Sequence, residues 1–144
     1  MTNLIDITLA AKGGDPSAMV ELAQVHARGE YMQPVDGIQA VYWYERAAKA
    51  GSSKAMTSLA FYCLSGVFVD RDAAKAVRLY EEALKIDGGD DCALYDLGSC
   101  YENGEGVKRD PVKAVELYRR AASLGSGLAR KALQRLGKTS KEAA

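Results

Sequence analysis

The sequence predicts an all-helical solenoid of stacked helix-turn-helix repeats. Three observations carry this. The chain matches itself at steps of 37, 38 and 36 residues, from Ala18 to Ala55, Ala93 and Ala129. Apolar residues inside each copy recur at helical spacing. Only 3 prolines occur in 144 residues, while alanine, the best helix former, is abundant.

The copies align residue by residue. The first has Ala18, Leu22, Gly29, Ala40, Tyr44, Ala47 and Ala48. The second has Ala55, Leu59, Gly66, Ala76, Tyr80, Ala83 and Leu84, and the third Ala93, Leu97, Gly104, Ala114, Tyr118, Ala121 and Ala122. A fourth begins at Ala129 and Leu133. The unequal steps have local causes: one extra residue in the loop 30–35 and two around Gly88-Gly89. Surface loops tolerate such insertions.

Each copy reads as two helices. In the third, Ala93, Leu94, Leu97 and Tyr101 share one helical face. Gly104 then ends that helix, because glycine takes the left-handed conformation without cost. Asp110-Pro111 starts the next, with aspartate as cap and proline at the first helical position. Asp15-Pro16 and Asp36 start helices in the first copy, with Gln39 placed as a capping-box partner of Asp36. The recurrent alanines let antiparallel helices approach closely, and the leucines and tyrosines fill the space beside them. The predicted layout is one domain over residues 1–137. It comprises a helical half-repeat at 3–12, repeats at about 16–51, 53–87 and 91–125, a half-repeat at 127–136, and a tail at 138–144.

Composition narrows the function. Apolar residues make up 48% and charged residues 26%, a folded soluble profile. Net charge is zero, where a nucleic-acid binder shows a basic excess. No apolar run is long enough for a membrane span, and Asp6 and Lys12 interrupt any secretory pattern at the N-terminus. A signal peptide already removed would leave no trace. Cys63, Cys92 and Cys100 are an odd set, and Cys92 and Cys100 fall roughly 12 Å apart on one helix. All three are read as free thiols and small buried hydrophobes, which places the chain in the cytoplasm.

His26, the single histidine, takes the place of Tyr101 on the buried stripe and reads as core. No Ser-x-x-Lys, Cys-x-x-Cys or His-x-x-x-His occurs, so neither a β-lactamase-like serine nor a zinc site is expected. Gly104-x-Gly106 follows a helix rather than a strand and reads as a helix-ending turn. No catalytic residue, metal or cofactor is predicted.

The third copy runs Leu97-Gly98-x-x-Tyr101-x-x-Gly104-x-Gly106-Val107-x-x-Asp110-x-x-Lys113-Ala114-x-x-x-Tyr118-x-x-Ala121-Ala122-x-x-Gly125. It resembles a Sel1-like repeat, a relative of the tetratricopeptide repeat with a longer, glycine-bearing loop. The first copy departs at Ala23, His26 and Pro34, and the second at Phe68 and Asp87. The resemblance implies a right-handed α/α solenoid whose first helices line a concave face, and an adaptor role in protein complexes. A secreted, cysteine-rich subgroup is associated with penicillin-like compounds, but its regular cysteine pairs are missing here.

On such a face, positions two before, two after and six after each stripe leucine point outward. These are Val20, Gln24 and Arg28, then Thr57, Phe61 and Ser65, then Tyr95, Ser99 and Asn103, with Lys131 and Arg135 completing the row. Phe61 and Tyr95 offer rigid aromatic anchors, and the amides and hydroxyls suit an extended peptide backbone. The expected function is therefore protein or peptide binding by a monomer or weak homo-oligomer. Alternatives are a penicillin-binding or β-lactamase-like enzyme and a self-associating structural module. The last draws on charge asymmetry: residues 81–105 carry eight acids against Lys85, and residues 117–144 seven bases against Glu142.

Overall fold

The computed structural model describes residues 2–138; the predicted tail beyond Lys138 lies outside them. Among the described residues there are eight helices and no strand: α1 (Leu4–Lys12), α2 (Pro16–Arg28), α3 (Gly37–Lys49), α4 (Ser53–Ser65), α5 (Ala73–Ile86), α6 (Asp91–Asn103), α7 (Pro111–Ser123) and α8 (Gly127–Arg135). They form two compact units, one ending at Arg71 and one beginning at Asp72. In the first, α2 packs on α1 and α3, and α4 packs on α3. In the second, α6 packs on α5 and α7, and α8 packs on α7.

Short polar side chains define every helix start. Asn3, Asp15, Asp36, Ser52, Asp72, Asp90, Asp110 and Ser126 each accept a backbone N–H from the first turn. Each such cap stabilises by about 1 kcal/mol. The expected capping box at Asp36 is only half formed. Asp36 Oδ1 accepts from Gln39 N, but the Asp36 N–H donates to the His26 carbonyl at 2.8 Å, not to the Gln39 side chain. Asp110 N likewise donates to Tyr101 O, so loop closure takes the donor a capping box needs.

The first helices of the repeats all stop on a left-handed glycine: Gly29, Gly66 and Gly104, at φ near 70°. In two copies an arginine five residues on ties the loop back, with Arg71 Nε donating to Leu64 O and Arg109 Nε to Glu102 O. The first copy has Pro34 there. Its extra loop residue is absorbed by Tyr31 and Met32, both left-handed, at φ 55° and 61°. Such conformations strain a side-chain-bearing residue.

The cores are built where side chains are smallest. Ala11, Ala23, Ala40 and Ala47 are fully buried in the first unit, and Ala114, Ala121 and Ala129 in the second. Gly98 is buried against Tyr118: a Cβ there would lie 2.8 Å from Tyr118 Cε1. Tyr80 and Tyr118 are among the largest fully buried side chains. Two core expectations fail. Cys92 is exposed, because it follows the cap residue Asp90 on the outer side of the first turn of α6, whereas Cys63 and Cys100 are buried as expected. His26 is half-buried rather than core, in the last turn of α2, where solvent reaches the end of the helix.

Candidate functional site

In the first unit the predicted outward positions lie on α2 and α4. Gln24 and Thr57 are half-buried, and Arg28 and Ser65 are exposed. Val20 corrects the expected row: it is buried, at 6% exposure. It lines a depression of about 380 Å³ with Ser17, Glu21, Gln24, Ser52 and Lys54. Phe61 is 52% exposed, with its ring edge-on to Tyr62 at 5.8 Å. Two other side chains, though exposed, bond to local partners. Ser65 Oγ donates to Phe61 O at 2.7 Å, and Arg28 pairs with Glu30 at 3.4 Å.

In the second unit the row lies on α6 and α8. Tyr95 is half-buried and stacks at 5.6 Å on the ring of Tyr118. Ser99 is half-buried, and Asn103 Nδ2 donates to its carbonyl at 3.1 Å. Lys131 is exposed. Arg135 makes a bidentate contact with Glu102, Nη1 to Oε2 at 2.7 Å and Nη2 to Oε1 at 2.8 Å, while the Tyr118 hydroxyl donates to the same Oε1 at 2.7 Å. Tyr95, Tyr118, Glu102 and Arg135 thus form one polar-aromatic cluster on α6, α7 and α8. The sequence row missed Glu102 and the Tyr118 hydroxyl. Glu102 sits one position before Asn103, and its partner Arg135 is 33 residues away, so no local pattern announces the pair.

These polar groups tie neighbouring helices of the second unit to one another. Hydrogen bonding from Arg135 holds the Glu102 carboxyl below the usual carboxylate range, against the effect of burial. Burial, and then the carboxylate each serves, push the Tyr80 and Tyr118 phenols far up, so both remain donors. Burial and its bond to Glu81 push Tyr101 up to about 12. Asp90, Asp91 and Cys92 hold their polar atoms within 4.8 Å of one another. Asp90 is already committed as the α6 cap, and burial and the neighbouring carboxylates push the Cys92 thiol up. Metal binding requires the thiolate. No described helix is long and apolar enough to cross a membrane.

Tandem antiparallel helix pairs, each with a glycine-capped first helix and an aspartate- or serine-capped start, define an all-α helical-repeat protein. A family model described as Sel1 repeat matches residues 16–52, 53–85 and 93–126. The chain belongs to the Sel1 repeat family.

The solved structures agree. A protective antigen of uropathogenic Escherichia coli with an SLR fold superposes at TM-score 0.88 and 30% identity, over 97% of this chain and 30% of that one. A Sel1 repeat protein from Oxalobacter formigenes superposes at TM-score 0.80 and 34% identity, over 92% and 97%. Helicobacter pylori cysteine rich protein B shares the fold at TM-score 0.66 and 22% identity, over 89% and 95%. Among curated proteins, the ERAD-associated E3 ubiquitin-protein ligase component HRD3 of Candida glabrata is 37% identical over 67 residues. That match covers 46% of this chain and 8% of the relative, so the chain spans a small fraction of that protein's length.

Proposed function

We propose that the chain is a binding module that captures another protein, or an extended peptide, on the first helices of its repeats. The observation that carries this reading is Phe61. An aromatic ring half open to solvent on a capped, well-packed helix is an anchor at little entropic cost. Tyr95, Ser99 and Asn103 extend the same kind of surface in the second unit. Membership of the Sel1 repeat family supports it, as does the match to a component of a ligase complex. In this reading the two units act as one domain over residues 1–137, work in the cytoplasm as a monomer or weak homo-oligomer, and carry no enzymatic activity. The three cysteines, none of them in a disulfide among the described residues, support a reducing compartment.

The test is affinity capture from the native host followed by mass spectrometry, with Phe61→Ala and Tyr95→Ala proteins alongside. Partners retained by the parent and lost by both variants, with helical content unchanged, are the expected result. Equal capture by all three proteins overturns the assignment. Hydrolysis of a chromogenic β-lactam by the parent protein would overturn the non-enzymatic reading.

A further inference from the structure

The second unit has a cavity of about 360 Å³ among α5, α6 and α7. Its floor is apolar: Leu84, Leu97 and Leu117. Its rim is cationic: Lys85 from α5, with Lys113 and Arg120 from α7. The single acid on the rim, Glu81, is engaged, since its carboxylate accepts the Tyr101 hydroxyl at 2.6 Å. The Lys113 ammonium lies 4.9 Å above the Tyr101 ring, which fixes one corner of the rim. Among the described residues, no carboxylate pairs with Lys85 or Arg120. Three cations and one carboxylate therefore surround the apolar hollow, an excess of two positive charges.

The first unit uses the corresponding position differently. Trp43 stands where Leu117 stands, and it is 5% exposed. Arg46 stands where Arg120 stands, and its guanidinium lies over the Trp43 and Tyr42 rings at 5.3 and 5.8 Å. There the arginine has an aromatic partner of its own. In the second unit a leucine stands at that position, and among the described residues Arg120 lies over no aromatic ring.

We propose that this cavity docks an acidic segment of a partner protein, which inserts one apolar side chain between carboxylates. Charge selects the sign of the occupant. Spacing selects its kind: Lys113, Leu117 and Arg120 share one face of α7, and the two cations are about 10 Å apart along the helix axis at 1.5 Å per residue. Lys85 faces them from α5. One carboxylate cannot serve cations so far apart, so a single-headed anion such as a fatty acid leaves part of the rim unpaired. A peptide with acids on both sides of a leucine satisfies it. This surface is separate from the first-helix surface, and its residues are separately testable.

The probe is a fluorescein-labelled peptide of sequence Glu-Glu-Leu-Glu-Glu, titrated with the full chain and read by fluorescence anisotropy. Saturable binding is expected, weakened at least ~10-fold by the double charge reversal Lys85→Glu/Arg120→Glu and weakened by salt, as exposed ion pairs are. Both side chains are exposed, so circular dichroism should match the parent, and melting should fall only slightly because each reversal puts an acid in the last turn of a helix. A Glu-Glu-Ser-Glu-Glu peptide should bind more weakly, and Phe61→Ala and Tyr95→Ala should change nothing. No binding, equal binding of the serine peptide, equal binding by the double reversal, or displacement by decanoate as effective as by unlabelled peptide would each overturn the proposal.

Discussion

The ring of Phe68 lies directly over Gly37. A Cβ added to Gly37 would collide with Cδ1 and Cγ of that ring. Phe68 stands in the loop after α4, at the place of Gly106 in the loop after α6. Both are left-handed, at φ 64° and 68°. Gly37 opens α3 as Ala73 opens α5, and Gly106 packs on the backbone of Ala73 and Ala74, where no Cβ fits. The loop thus rests on the start of the preceding second helix in both units. In one unit the glycine is on the helix and the bulky residue on the loop. In the other the loop holds the glycine.

That exchange predicts strong coupling. Gly37 has no left-handed φ, so its backbone accepts alanine, and only the Phe68 ring objects. Gly37→Ala should cost about 1–3 kcal/mol, the usual range for overpacking. Phe68→Gly gives up the contact with Tyr62, at 5.2 Å between ring centroids, but relieves a left-handed conformation that costs roughly 1–2 kcal/mol. In the Phe68→Gly background, Gly37→Ala should be nearly free. A double-mutant cycle by urea denaturation measures this. Additive effects would show that the ring moves aside at little cost.

Glu102 ties α6 to α7 through Tyr118 and to α8 through Arg135. Its folded pKa lies below the ordinary value, chiefly through the Arg135 hydrogen bonds. A group depressed in this way adds stability that is present above its unfolded pKa, near 4.3, and lost as pH falls through the folded value. Glu102→Gln should therefore lower Tm at pH 7. The gap between parent and variant should hold down to about pH 5 and close at lower pH. The effect should be modest, because Arg135 is mostly exposed and solvent screens the pair. A gap that persists unchanged at pH 3 would mean that shape, not charge, holds Glu102.

How much of this was legible in the sequence follows from what each feature depends on. Helix starts were readable from Asp15, Asp36 and Asp110, and the stops from Gly104 and its counterparts, because capping is local chemistry at fixed offsets. The last helix, α8, followed from the Ala129–Leu133 echo of the repeat. The exposure of Phe61 was readable from its offset to Leu59. Val20, at the mirror offset from Leu22, went the other way: whether a position two residues off the stripe is open depends on what packs over it, which periodicity does not encode. The Glu102–Arg135 pair and the cationic cavity were illegible for a related reason. Both join residues on different helices, Glu102 with Arg135 and Lys85 with Lys113 and Arg120.

Asp96 offers the opposite pH signature to Glu102. Its carboxylate is half-buried and accepts the Tyr80 hydroxyl at 2.9 Å. Burial raises its pKa, Asp90 adds to the rise, and the Tyr80 bond only partly offsets them. A carboxyl raised above its unfolded pKa costs stability while it is charged. That cost is full above the folded pKa and disappears as pH falls below the unfolded value, near 3.9. Asparagine keeps an oxygen for Tyr80 and brings no charge to bury. Asp96→Asn should therefore match or exceed the parent Tm at pH 7, and its advantage should shrink as the pH is lowered. Thermal melts of the two proteins from pH 7 to pH 4 check this. A variant that melts well below the parent at pH 7 would show that the charged carboxylate is a net stabiliser, with Tyr80 paying back more than burial removes.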